Sequence, residues 1–396
     1  MHSSTHPFLP AGTPLLRSGP DGVQVGGVDS SDGLLVSPAG GNLAGLLRSL
    51  DGRRAQRAVL ADAAKAGLDA ASIAALLDSL RAAGLLVDVD AADLLARDAG
   101  PAARARGAVE LAGALTSPSA LPSGAAWRGR RHATVVLEGA TRVGTPLAAI
   151  LAGSGVGRVS IIDPGVTTAA DAVAGGLTAA DEGRPRSIAA ADAVRRASPL
   201  TDLRPPVAGS AADVVVLARP WAASDPVAAA VHLSGVPHLV STVRGETGVV
   251  GPFVVPGATS CLRCADLHRR DADPRWPALA AQLTASEAPP SGATVTCLLT
   301  AATAAVQVLA YLDGTAAPTT IDATIELRPP DLVPRLRPWS THRECSCGAP
   351  GSAGRAPSSP VRVPRVGTPM GGTGPPQGTM GHRPSSEAHP DETAAH

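Results

Sequence analysis

Ala133-Thr-Val-Val-Leu-Glu-Gly-Ala-Thr-Arg-Val-Gly144 is the stretch on which the fold turns. A compact apolar run, Ala133 to Leu137, reads as a buried strand and feeds a glycine turn, Gly139 to Gly144. Pro146 to Ala152 then reads as a helix, and Val159-Ser-Ile-Ile162 as a second strand ending in Asp163. Strand, glycine turn, helix, strand and acid in that order are the opening unit of a nucleotide fold, with the acid placed where a ribose is bound. The alternation continues with a helix around Ser187 to Arg196, a strand at Val214 to Leu217, a helix near Pro226 to Ser234 and a strand at His238 to Thr242. The fold class expected is α/β: a doubly wound, Rossmann-like, mostly parallel sheet with ligands at the carboxyl ends of its strands.

Outward from this unit the chain divides into four. Residues 12–92 carry helical periodicity. Leu43, Leu46, Leu47 and Leu50 lie on one face, and a further helix opens at Asp69 as N-cap, carries Ile73, Leu76, Leu77 and Leu80, and stops at Gly84. With strand-like Gly22 to Gly26 ahead of them and Leu85 to Val87 behind, these elements predict a small winged-helix-like domain. Residues 93–130 read as a linker containing a helix, 131–348 as the nucleotide-fold domain, and 349–396, rich in Pro, Gly, Ser, Thr and His, as a disordered tail.

Charge and composition narrow the function classes. The 396 residues hold 34 basic and 34 acidic side chains, so no global field draws the protein to nucleic acid or an anionic membrane. Lys65 is the only lysine, and the arginine and alanine bias points to a GC-rich bacterial genome. Arg81 is the only positive charge on the third N-terminal helix, a poor DNA reader. No secretion signal is visible at Met1 to Pro14, so a cytoplasmic home is expected. Gly292 to Leu312 approaches membrane-spanning length, but its threonines and Gln307 favour a buried helix.

Four of the five cysteines are paired, Cys261-x-x-Cys264 and Cys345-x-Cys347, and supply the soft thiolates that suit tetrahedral Zn²⁺. No carboxylate or histidine motif beside them marks an open coordination position, so the metal is expected to be structural; His268 and His342 are the nearest alternative ligands. Cys297 lies in an apolar stretch with no histidine close in sequence, which reads as a core thiol and not as a nucleophile.

Gly139 to Asp163, Gly183-Arg-Pro-Arg186 and the two cysteine pairs together resemble the ThiF/HesA/MoeB proteins, relatives of ubiquitin-activating enzymes. The resemblance implies ATP with Mg²⁺, adenylation of the C-terminal carboxylate of a peptide or small protein, and a homodimer. Carried onto this chain it assigns the nucleotide site to Gly139, Arg142, Gly144, Asp163 and Arg186. The departures from the pattern concern the same site. Thr141 and Arg142 replace the middle glycines, Ala172 to Leu177 lacks the family's phosphate-contacting arginine, Arg186 replaces a lysine, and Ala218-Arg219-Pro220 displaces the metal-binding aspartate, leaving Asp225 nearby. Autonomous adenylation is therefore not expected. The layout also resembles the cyclodehydratase-associated proteins of azoline-forming peptide biosynthesis, which join a leader-peptide-recognising winged helix to a ThiF-like domain without ATP chemistry. That likeness implies a peptide partner and a separate catalytic enzyme.

Overall fold

The computed structural model describes residues 5–19, 22–28, 33–36, 42–90, 101–116, 124–206, 211–219, 225–285, 290–314 and 316–351. The expected tail, 349–396, lies almost wholly outside them, as does Pro220.

In the N-terminal part, β1 (His6–Phe8) is followed by the antiparallel strands β2 (Leu15–Arg17), β3 (Val23–Val25) and β4 (Leu34–Val36). Three helices follow, α1 (Leu43–Arg48), α2 (Gln56–Lys65) and α3 (Ala70–Ala82), and then β5 (Val87–Val89). Asp69 caps α3 by accepting the Ser72 N–H at 2.8 Å. The periodic leucines Leu43, Leu47, Leu77 and Leu80 meet Val25 and Val59 in one core. β5 pairs antiparallel with β1, so residues 6–8, ahead of the expected start at 12, are tied into this unit. Arg81 is held by Asp88, Asp78 and Gln56.

The connector contains α4 (Pro101–Thr116) and α5 (Ala125–His132). Leu111 and Trp127 from these helices pack with Phe8 and Val89, which joins the connector to the N-terminal unit.

The large domain is built on β6 (Thr134–Glu138), α6 (Gly144–Gly153), β7 (Arg158–Ile162), α7 (Arg186–Ala197), β8 (Val214–Leu217), α8 (Pro226–Leu233) and β9 (His238–Arg244). Then come β10 (Thr247–Val254), α9 (Leu262–Ala272), α10 (Trp276–Ala285), α11 (Thr294–Asp313), β11 (Ala323–Leu327) and β12 (Pro334–Pro338). The seven strands run in the order β12-β11-β10-β9-β8-β6-β7. β7, β6, β8 and β9 are mutually parallel, the doubly wound half that the sequence predicts, and β10 to β12 extend the sheet antiparallel.

β6 sits between β7 and β8, and its alternate residues Val135 and Leu137 are fully buried with Leu147 and Leu151 of α6. α11 is long and apolar enough to cross a membrane by length and composition. Here its inner face, including Cys297, Ala301, Ala304 and Val308, is buried, and the helix packs on α5, α6, β9 and β10. An almost buried ion pair, Arg130 Nε to Asp313 Oδ1 at 2.6 Å and Nη2 to Oδ2 at 2.5 Å, ties α5 to the end of α11.

Candidate functional site

The chain passes from β6 to β7 on one side and returns to β8 on the other, so the sheet's switch point lies at the carboxyl ends of β6 and β8. The glycine turn stands there, and both glycines are required by the turn itself. Gly139 has φ +116°, a region that favours glycine, and a Cβ on Gly144 would lie 2.1 Å from the Gly139 carbonyl oxygen. Thr141 bridges the turn: its hydroxyl donates to the Ala218 carbonyl at 2.7 Å and accepts the Gly144 N–H at 3.0 Å. One of the helix-terminal N–H groups that would face an anion is thereby taken.

The charged residues named from sequence are brought together, and each is engaged by the protein. Arg142 Nη1 donates to the carbonyls of Ala170 at 3.0 Å and Ala172 at 2.5 Å, and Nη2 to Thr294 Oγ1 at 3.3 Å. Arg186 lies between two carboxylates, 3.7 Å from Asp163 and 3.5 Å from Asp171. Asp163 accepts the backbone N–H of Ala140 on one oxygen and of Gly165 on the other, both at 2.8 Å. The space left among Thr141, Arg142, Asp171, Arg186, Thr242 and Ser291 is a cavity of about 60 Å³. Asp225, the remaining carboxylate near the expected metal position, caps α8 by accepting Val227 N–H at 2.8 Å.

Three features here were not read from the sequence. Thr168-Ala-Ala-Asp171 and Thr178-Ala-Ala-Asp181 are the same four residues twice, and each folds into a capping box on a 3-10 turn. The first supplies Asp171 to Arg186 and the second Asp181 to Arg184, whose Nη1 it meets at 2.5 Å. These turns flank Ala172 to Leu177, where the family's arginine motif is expected, and the repetition was the available signal. Glu138 ends β6 facing Arg219, Asp225 and Asp163; burial raises its pKa against the opposing pull of Arg219. Arg142, remote in sequence, lies beside Cys297, yet burial dominates and pushes that thiol up. Cys297 is fully buried, in keeping with a core thiol.

The second site is the cysteine cluster. Cys261 is the N-cap of α9 and Cys264 lies in its first turn, while Cys345 and Cys347 come from the segment after β12. Sγ of Cys261 lies 3.8 Å from that of Cys264 and 3.6 Å from that of Cys345, and Cys264 lies 3.7 Å from Cys347. All four sulfurs fall within 4.8 Å of one another. Tetrahedral thiolates at ~2.3 Å from an ion have S···S edges of ~3.8 Å, whereas a disulfide requires ~2.05 Å. The donor set thus fits a tetrahedral metal ion, and the four cysteines can hold one.

Two of the thiols resist ionisation and a third gives up its proton readily. Burial pushes the Cys345 thiol up to about 12, and Cys261 is raised as it donates its hydrogen bond to Cys264. Cys264, accepting that bond, is held down at about 4. The alternative ligands are committed elsewhere: His268 Nε2 bonds the Ser340 carbonyl at 3.0 Å, and His342 donates to Asp271 at 2.8 Å while accepting the Glu344 N–H at 3.1 Å. Trp339 is clasped between the guanidinium groups of Arg269 at 4.6 Å and Arg337 at 4.3 Å, which fastens β12 to α9 beside the cluster.

Comparison with known proteins agrees with this architecture. Solved structures of MccB from E. coli match at 16% identity, covering 87% of this chain and 99% of that one; the complex with ATP has a TM-score of 0.53. A structure of the microcin C7 biosynthetic enzyme MccB in complex with N-formylated MccA gives 0.55 at the same identity and coverage. PaaA matches with TM-score 0.52 and 16% identity over 67% of this chain and 92% of that one. At these identities the likeness is one of fold. No curated protein sequence matches the chain. The ThiF family model matches residues 128–348, more than half of the sequence and all of the large domain from β6 to the last cysteine pair, and the chain belongs to the ThiF family.

Proposed function

We propose that this ThiF-family protein recognises a peptide and acts in its modification without adenylating it on its own, leaving activation to a separate enzyme. The observation that carries the reading is the cavity at the switch point. Pockets that enclose nucleotide-sized ligands run to ~300 Å³ or more, and this one is about 60 Å³. Its cations are held from within, Arg142 by neutral carbonyls and Arg186 by the charges of Asp163 and Asp171, though the buried Nε of each has no hydrogen-bond partner among the described residues. In this reading the site as it stands does not take ATP.

A peptide partner is supported by the related fold of MccB, which has been solved with the MccA peptide, and by a groove in the N-terminal part. That groove, about 770 Å³, is lined by Phe8, Leu9, Leu15, Leu47, Val109 and Trp127 among others, with Arg48 and Arg53 also on its wall. It has the size and the apolar lining to take side chains of an extended or helical peptide. In this reading the winged-helix-like unit, 12–92, grips the peptide. The cysteine cluster holds a structural Zn²⁺ that staples the end of the domain to α9.

The test is binding of fluorescently labelled peptides, taken from those encoded beside this chain, to the full-length protein without ATP, run with pyrophosphate exchange. Saturable binding and no exchange are expected, with Val109→Asp weakening binding at least tenfold at unchanged melting temperature, since Val109 is 69% exposed. Peptide-dependent exchange by the purified chain would refute the reading.

A further inference from the structure

A cavity of about 560 Å³ beside the cysteine cluster has no part in the function proposed above. Cys261, Cys345 and Cys347 line it, with His232 near the end of α8 and His238 at the start of β9. His238 is fully buried. Its Nδ1 lies 2.8 Å from the Val236 carbonyl oxygen, and because a carbonyl only accepts, Nδ1 carries the proton and Nε2 presents a lone pair. Among the described residues that nitrogen has no hydrogen-bond partner, and neither has Nδ1 of His232. The two rings stand edge to face with centroids 5.8 Å apart.

Leaving a buried polar atom unpaired costs ~1–3 kcal/mol, so two such buried atoms on neighbouring imidazoles behind the cavity lining are a poor solution for stability alone. An imidazole fixed through one nitrogen to a carbonyl, with the other nitrogen bare, is the arrangement in which protein histidines meet metals. Two imidazoles bound at ~2.0 Å to one tetrahedral ion hold their centroids roughly 5 Å apart, which a small rotation of the half-buried His232 ring supplies. A dication ringed by four thiolates keeps a net charge of about −2, which attracts a further cation nearby against the opposing charge of Arg263 on the same cavity lining. Burial pushes the His238 imidazole down to about 4, so its lone pair is available at neutral pH.

We propose that His232 and His238 form a second, exchangeable site for a divalent transition-metal ion, separate from the cysteine cluster and reached from the cavity by rotation of the half-buried His232 ring. With only two protein ligands it holds its ion more weakly than four thiolates do, and imidazole donors suit zinc, copper, nickel or cobalt. The site is independent of the peptide and nucleotide reading.

The experiment is a titration of the full-length, zinc-loaded protein with Co²⁺. One further equivalent is expected, with visible d–d bands and no thiolate charge-transfer band. His232→Gln and His238→Gln are each expected to lower the affinity for this equivalent at least tenfold while the cysteine-bound zinc stays at one per chain. Absence of the extra equivalent overturns the proposal, as does uptake unchanged in His232→Gln, or a thiolate band showing that cobalt has displaced the zinc. Should His238→Gln fail to fold, X-ray absorption on the wild-type cobalt form decides between nitrogen and oxygen scatterers, which support the site, and sulfur, which refutes it.

Discussion

Positive charge persists at the end of β6, but Arg142 and Arg186 have been turned toward the protein's own oxygens. Restoring family-like side chains one by one is therefore not expected to rebuild a phosphate site. Arg142→Gly combined with Arg186→Lys is expected to remain silent in pyrophosphate exchange, because Asp225 still caps α8 and Ala172 to Leu177, between the two Thr-Ala-Ala-Asp turns, still carries no phosphate-contacting arginine. Full exchange by that double variant would contradict this. Glu138 allows a pH test. Its pKa in the fold is raised above the ordinary 4.5 by burial, so the folded state holds the proton more tightly than the unfolded chain, and stability falls as pH rises through the folded pKa. Glu138→Gln is accordingly expected to raise the urea midpoint at pH 8 and to have less effect at pH 4, by a fraction of a kcal/mol because part of the carboxyl faces water. A larger gain at pH 4 would reverse the argument. Gly139 and Gly144 were legible in the sequence because a positive φ and a 2.1 Å approach leave no alternative residue. The partners of Arg142 were not, since they lie 28, 30 and 152 residues away.

Among the elements, β6, α6 and β7 were readable because an apolar strand, a glycine turn and a buried helix each leave their own period in the chain. The 3-10 turns at 169–171 and 179–181 leave none, being three residues long and held by side-chain caps. The same limit applies to the antiparallel extension β10 to β12, whose order in the sheet depends on long-range pairing. α11 was readable as a core helix from its threonines, but its anchor was not: Asp313 pairs with Arg130 across 183 residues. With side chains only 11% and 7% exposed, that pair is nearly desolvated. Arg130→Met is expected to cost about 3 kcal/mol in chemical denaturation by stranding the carboxylate, and adding Asp313→Asn should recover part of the loss. A cost under roughly 1 kcal/mol would show that the pair is dispensable.

Over the whole molecule the cysteine cluster closes a long loop, joining α9 to the segment after β12. A structural zinc contributes on the order of 10 kcal/mol in small zinc domains, so Cys261→Ser or a strong chelator is expected to lower the melting temperature of the large domain sharply, whereas Cys297→Ser should retain metal and fold. A stable, metal-free Cys261→Ser protein would sink the structural-zinc assignment. The cysteine pairs could be read from spacing alone, because tetrahedral thiolate chemistry needs just those residues. The groove beside Trp127 could not, because it forms only where α4 and α5 meet the N-terminal segment.

The central claim is that the switch-point cavity no longer serves ATP, and calorimetric titration of the full-length, zinc-loaded protein with ATP and Mg²⁺ tests it most directly. No saturable heat is expected, with or without the peptide. Stoichiometric binding in the micromolar range, abolished by Asp163→Ala, would contradict the claim and show that the pocket opens to nucleotide.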